Sequence, residues 1–306
     1  MQPAGEVLPQ APVEAGRYGE VFDRGYKHYD GPRLGRQHAR RALVGYSVKR
    51  AMGIKKSWTA KVIPIFLYVA VLIPVIISLG IRAFLPTAEV LQYSEYFGSI
   101  FIFLVEGVFA AMIAPELLCS DRQEKVLPLY FARSISRADY LIAKLTAAAL
   151  LMLTMSLAPA AILWLGRQLL DDRPLRAMAD HIGDLGRLAV AGILLSFYIG
   201  SLALMVASFT SRKLISIAVT IVCLLISTSL ALALAVVIDS EWARFLTFLS
   251  PISTINGMTA SLFGVVVDKT EFSDNGYLPF WQYLVGILAT IAAALGIMTW
   301  RYLPND

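Results

Sequence analysis

Residues 62–84 read VIPIFLYVAVLIPVIISLGIRAF, and this stretch decides the fold. Crossing the hydrocarbon of a bilayer takes roughly 20 mostly apolar residues as a helix, and residues 62–84 meet that length. Five similar stretches follow, at residues 97–118, 140–165, 188–209, 214–238 and 280–303. Lipid offers backbone N–H and C=O groups no water, so each stretch must close its own hydrogen bonds as a helix. The closely spaced alternating strands of a barrel are absent. A soluble all-α protein would have to bury six nearly charge-free helices in one 306-residue domain. The fold class expected is therefore an all-α membrane protein with six transmembrane helices.

Composition agrees with this. Apolar residues make up 57% of the chain, charged residues 16%, and the mean hydropathy is +0.65. The net charge of +5 does not point to nucleic acid, because the basic residues are unevenly placed. Twelve of the 27 Lys and Arg lie between Arg17 and Lys61, before the first span. That concentration reads as a cytoplasmic flank beside anionic lipid. No basic groove with stacking aromatics accompanies it, so no nucleic-acid partner is expected.

Loop charge predicts the topology. The basic N-terminal segment is expected inside. Residues 85–96 carry Glu89 and Glu95 without Lys or Arg, and are expected outside. Residues 119–139 hold Arg122, Lys125, Arg133 and Arg137, and the turn at 210–213 holds Arg212 and Lys213; both are expected inside. The acidic segment 239–279 is expected outside. One loop fits poorly: residues 166–187 must be outside by alternation, yet they hold Arg167, Arg173, Arg176 and Arg187. The expectation is a multi-pass protein of the cell (inner) membrane with both termini cytoplasmic. The first 60 residues contain no apolar signal-peptide core, so the first span is expected to be the targeting signal.

Residues 1–33 read as a cytoplasmic, partly disordered tail, 34–61 as a basic amphipathic interfacial helix, and 62–306 as the transmembrane domain. On a helix, Leu43, Val44, Val48, Ala51, Met52, Ile54 and Trp58 share one face, with Lys49, Arg50 and Lys56 opposite. That pattern suits a helix in the inner headgroup layer, apolar side toward the membrane lipids. Residues 240–249 and 252–267, separated by Pro251, are two short apolar runs, each too short to span, and predict an outer helical hairpin before the sixth span. The Ser and Thr residues of the fifth span (Ser216, Thr220, Ser227, Thr228, Ser229) allow close helix packing, at a dimer seam or within one subunit.

Within the span cores Glu106 is the conspicuous charge. It is a pathway candidate; it also fits a structural carboxylate bonded to Ser or Thr, or a proton relay. Several chemistries are missing: no GxxxxGK[ST], HExxH, CxxC or GxSxG occurs, and Cys119 and Cys223 read as small apolar residues. No catalytic residue, metal site or cofactor is expected in this chain, which is expected not to be an enzyme.

Residues 119–144 read CSDRQEKVLPLYFARSISRADYLIAK. A charged elbow with Glu124 and Lys125 leads to a short apolar helix with Leu127, Leu129 and Tyr130. A turn from Arg133 to Arg137 follows, with Ser136 placed to cap a helix whose third position is Asp139. A solvated connection has no use for those apolar residues, whereas a helix docking in a partner's groove does. This stretch resembles the ABC-2 family of ABC transporter membrane subunits, with Glu124, Leu127, Leu129, Ser134, Ser136, Arg137 and Lys144 in matching places and Ile135 where the turn usually has Pro. The plan over residues 40–303 is similar too. The resemblance implies a permease subunit that pairs with a second permease as a homodimer or heterodimer and is coupled through residues 119–139 to separate ABC ATPase subunits that hold the ATP and Mg²⁺, most members being exporters. The residues it implies for ATPase coupling are Glu124, Lys125, Leu127, Leu129, Tyr130, Arg133 and Arg137. Two other readings remain: a membrane anchor or assembly protein that docks a cytoplasmic partner without transport, and a stand-alone secondary carrier.

Overall fold

A computed structural model describes residues 31, 35–54, 58–85, 91–131, 135–238, 241–267, 270–272 and 276–302. Gly35–Asp306 form one compact unit. The tail expected at residues 1–33 lies outside the described residues, save Gly31. In chain order the helices are α1 (Arg36–Ala51), α2 (Thr59–Phe84), α3 (Tyr93–Tyr96), α4 (Ile100–Gln123), α5 (Leu127–Phe131), α6 (Arg137–Leu169), α7 (Pro174–Asp180), α8 (Ile182–Phe209), α9 (Lys213–Val237), α10 (Pro251–Phe263) and α11 (Phe280–Tyr302), with a 3₁₀ helix at Glu241–Leu249 before α10. Six of them (α2, α4, α6, α8, α9 and α11) are long and apolar enough to cross a membrane. The chain is an all-helical, multi-pass membrane protein, with the six spans the sequence predicts.

Helices α4, α6 and α8 form the centre. Their contacts are built on alanine: Ala110, Ala114, Ala143, Ala147, Ala148, Ala191, Ala203 and Ala207 are all buried. In lipid, where apolar burial drives helices together only weakly, small residues let backbones approach and dispersion hold them. At Gly192 the approach is so close that an added Cβ would stand 2.3 Å from Leu157 Cδ2. Helices α2, α9 and α11 flank this centre and turn apolar faces outward, with Phe66, Ile76, Ile226 and Leu288 exposed. Exposed Trp281 and Trp300 mark the two ends of α11. Nineteen residues of helix separate them, about 28 Å of rise, close to the hydrocarbon thickness at which aromatic belts sit.

The two ends of the bundle differ. One end carries α1, the α4–α6 elbow, the α8–α9 turn and the C-terminus of α11. The other carries α3, α7 and the hairpin of 3₁₀ helix and α10. Pro251 does more than break the first run of that hairpin: it opens α10 at its first turn, where a missing N–H costs nothing, and Ser250 Oγ accepts from Ser253 N–H at 3.3 Å to cap it. The hairpin packs into the bundle end, with Thr254, Ile255, Gly257 and Met258 buried. The small polar face of α9 also packs inward: Ser216, Thr220 and Ala231 are buried, and Ser250 Oγ donates to Thr228 Oγ1 at 3.2 Å.

Two expectations need correction. The apolar face of α1 lies against protein, not lipid. Leu43, Ser47 and Ala51 are buried against α4 and α6, and Val44, Val48 and Met52 pack on the same core. Helix α1 ends at Ala51, with Gly53 in the left-handed region, and Ile54 and Trp58 beyond it are exposed. An amphipathic pattern is the same whichever apolar medium covers it, so it could not distinguish the two. The second concerns the poorly fitting loop 166–187, which is nearly all helix. α6 runs on to Leu169 and α8 begins at Ile182. Arg167 thus falls on the last turn of α6 and Asp184 on the first turn of α8, where each charge complements the helix dipole.

Candidate functional site

The elbow between α4 and α6 is shaped first by its backbone. Helix α4 stops when Lys125 turns left-handed, at φ 54°. Lys125 N–H then bonds Arg122 C=O, and Val126 N–H bonds Asp121 C=O, both at 3.2 Å. This paired closure satisfies two orphan carbonyls of the last turn. Helix α1 closes identically through Gly53, with Gly53 N–H on Arg50 C=O at 3.0 Å and Ile54 N–H on Lys49 C=O at 2.9 Å. Glycine adopts that conformation freely; lysine does so at a steric cost. The reversal aims the chain into α5. Helix α6 then starts as the sequence predicts: Asp139 N–H donates to Ser136 Oγ at 3.2 Å, and Ser136 N–H donates back to Asp139 Oδ2 at 3.1 Å.

Below the elbow lies a buried ion cluster. Asp121 is fully buried. Its carboxylate accepts from Arg50 Nη1 at 3.0 Å, Lys144 Nζ at 2.7 Å and Tyr140 OH at 2.9 Å. Lys144, also fully buried, donates to Ser47 Oγ at 3.1 Å. The second arm of the Arg50 guanidinium reaches Glu124. Two acids and two bases therefore cancel in one site shared by α1, α4, α6 and the elbow. Burial works against the Arg50 cation, but the Asp121 and Glu124 carboxylates outweigh it and raise its pKa. Isolated burial of either ion would cost several kcal/mol; the pairing removes most of that penalty and leaves the geometry rigid.

Aromatic contacts extend the cluster sideways. The Tyr130 ring meets Tyr140 at 6.0 Å, and Tyr140 meets Tyr302 of α11 at 6.2 Å. Arg122 lies 4.5 Å over the Tyr302 ring and donates to Ser208 C=O of α8 at 2.5 Å. Burial, reinforced by the Asp121 charge, pushes the Tyr130 phenol up to about 12. At the start of α6, Arg36 donates to Asp139 Oδ2 at 2.5 Å and to Ser136 Oγ at 2.9 Å. Lys213 of α9 pairs with Glu116 of α4 at 3.0 Å. A displacement of the elbow is thus in contact with α1, α4, α6, α8 and α11.

The candidate residues separate in this arrangement. Leu127 and Tyr130 turn inward and pack on the core, so the apolar cluster expected on the surface is reduced. Leu129 is 66% exposed, and Glu124 and Lys125 are exposed beside it. Arg137, at the first position of α6, is half-buried. Arg133 lies outside the described residues. Glu106 is remote from the elbow. It is 1% exposed inside the protomer, and neither of its oxygens has a hydrogen-bond partner among the described residues. It adjoins Ser156 of α6 and stands within electrostatic reach of Tyr96, whose hydroxyl is also unpartnered.

Sequence reading did not single out Asp121, Lys144, Arg50 and Tyr140 as a unit. One signal was available: Lys144 falls within the third apolar stretch, where a cation must find a counter-ion, and Tyr140 lies one turn away on the same face. Its partners on α1 and α4 come from distant sequence and carry no local mark. Among the described residues no cluster of His, Cys, Asp and Glu could hold a metal ion.

A family model described as "ABC-2 family transporter protein" matches residues 74–301, from within α2 to the last turn of α11. No curated protein matches the chain.

Proposed function

Because the chain belongs to the ABC-2 transporter family, we propose that it is the membrane-spanning permease subunit of an ATP-driven exporter, with ATP and Mg²⁺ bound and hydrolysed in a separate ATPase subunit. The observation that carries this reading is the Asp121–Lys144–Arg50 cluster. It ties a short exposed elbow to the roots of several spans. Such a connection turns a push on α5 into movement of whole helices rather than loop bending. Leu129, with Glu124 and Lys125 around it, is the face offered to the ATPase. Two copies, or this chain and a related one, form the pathway between them, with elbow and both termini on the cytoplasmic side of the inner membrane. Glu106 faces the interior of a single subunit, which favours its structural role over a place on the pathway.

The test is a double substitution at exposed positions, Leu129→Asp with Lys125→Glu, in the full-length protein expressed with its ATPase. Insertion and thermal stability should stay at wild-type level, while ATPase copurification falls at least about 10-fold. Full copurification with full ATPase activity sinks the docking role. Copurification without substrate-stimulated ATPase activity in the wild-type complex favours an anchor instead of a permease.

A further inference from the structure

At the hairpin end, away from the elbow, the last turns of α2 and α6, helix α3 and the start of α8 enclose a polar cleft of about 370 Å³. Three arginines line it: Arg82, Arg167 and Arg187. Their partners are unequal. Arg187 pairs with Asp184 at 3.3 Å, and Asp184 also meets His181 Nδ1 at 3.1 Å. The other lining carboxylate, Asp171, accepts the Arg173 backbone N–H at 3.2 Å. Neither Arg82 nor Arg167 has a carboxylate partner among the described residues.

Arg167 is the unusual one. It is 5% exposed. It donates to Leu91 C=O and lies 4.6 Å over the Tyr93 ring, but its Nε–H is buried with no acceptor. Gln168 Nε2 donates to Tyr93 OH at 3.2 Å, holding the ring beneath the guanidinium. A buried cation without an anion is costly. Helix dipoles account for part of the compensation: the ends of α2 and α6 supply about half a negative charge each. Counting side chains alone, the three arginines exceed the two lining aspartates by one positive charge, and Arg167 is the buried one with no carboxylate beside it among the described residues.

We infer that this cleft binds an oxyanion of the phosphate type, with Arg167 as its fixed buried base and Arg82 and Arg187 closing on it from the rim. Guanidinium groups suit such a ligand because their N–H forks match its oxygens in pairs. The inference accounts for the arginines of residues 166–187 that depart from the charge rule of membrane loops: Arg167 and Arg187 serve a site, not a solvated loop. It does not depend on the coupling role of the elbow or on which end faces outward. The phosphate-type group has two possible sources, a lipid headgroup at the membrane surface or a free anion in solution.

The full-length protein in maltoside detergent, which contains no phosphate, permits the test. Its thermal midpoint is followed by tryptophan fluorescence against inorganic phosphate, short-chain dihexanoyl phosphatidic acid and neutral dihexanoylglycerol. Either phosphate-bearing probe should raise the midpoint saturably, while the neutral lipid should not. Equal protection by phosphate and phosphatidic acid assigns a free anion; protection by the lipid alone assigns a headgroup. Arg82→Gln and Arg187→Gln, on the half-buried and exposed rim, should each weaken binding about 10-fold, the worth of one charge-assisted hydrogen bond. Arg167→Gln should weaken it more, and if that form fails to fold, the rim variants decide. Absence of saturable protection by both phosphate-bearing probes, or unchanged affinity in both rim variants, overturns the site.

Discussion

At the scale of single residues, Asp121 is the buried anion on which the elbow's ion cluster is built. Its carboxylate lies within 3.0 Å of both Arg50 Nη1 and Lys144 Nζ, while Glu124 meets the other arm of Arg50. Asp121→Asn keeps the shape and removes the charge, leaving Lys144 buried beside Arg50 with Glu124 as the remaining carboxylate of the cluster. We expect a loss of about 3–5 kcal/mol, read as a lowered thermal midpoint of the detergent-purified protein. Replacing Asp121 and Lys144 together with apolar residues should recover part of that loss; a double variant no better than the single one would show that the pair itself contributes little. Lys125 offers the opposite experiment. Its left-handed φ of 54° is paid for by the closure of α4, so Lys125→Gly should stabilise by up to about 1 kcal/mol, whereas β-branched Lys125→Val should cost about 1–2 kcal/mol. A Gly form no more stable than the wild type would mean that its greater freedom in the unfolded chain offsets the relief. Both residues lie in the charged elbow that sequence reading identified. Their roles were not legible there, because neither a buried counter-ion nor a positive φ at lysine leaves a local pattern.

At the scale of elements, the hairpin depends on close approach between helices. An added Cβ at Gly257 of α10 would stand 2.1 Å from the hydroxyl of Tyr283 and 2.3 Å from its Cζ. Tyr283 is itself buried in α11, so relieving the clash requires moving a packed ring. Gly257→Ala should therefore destabilise by about 1–3 kcal/mol, with the pairing Gly257→Ala, Tyr283→Phe recovering part of it by removing the clashing oxygen. Unchanged unfolding of Gly257→Ala would mean that α10 shifts freely on the bundle end. The start of α6 is a second elemental feature. Ser136→Ala removes a cap and one contact of Arg36, and should cost about 1 kcal/mol in the same measurement. This cap was readable from Ser136 and Asp139 three positions apart. The side on which α1 packs was not, since an apolar face is equally suited to acyl chains and to the alanines of α6.

At the scale of the whole molecule, the even number of spans returns the chain to the end from which it started. In a background without Cys119 and Cys223, a cysteine at exposed Glu95 should react with an impermeant thiol reagent in intact cells, and one at exposed Ser211 should react only after permeabilisation. The reverse labelling would invert the proposed orientation. What sequence alone determined was the number of spans and their approximate bounds, the short amphipathic helix ahead of them, the elbow and the two-part hairpin. Each of these is a property of consecutive residues: an unbroken apolar length, a helical period, a cap, a proline. What only the tertiary structure decided was which of these parts touch. It seated α1 against α4 and α6, turned Leu127 and Tyr130 inward while leaving Leu129 outside, joined Arg50, Asp121 and Lys144 across nearly a hundred residues, and gathered three arginines from separate helices into one cleft. The physical reason is the same in each case: a buried charge or a close helix contact is stabilised by whatever partner lies opposite in space, and the spacing of residues along the chain does not encode that partner.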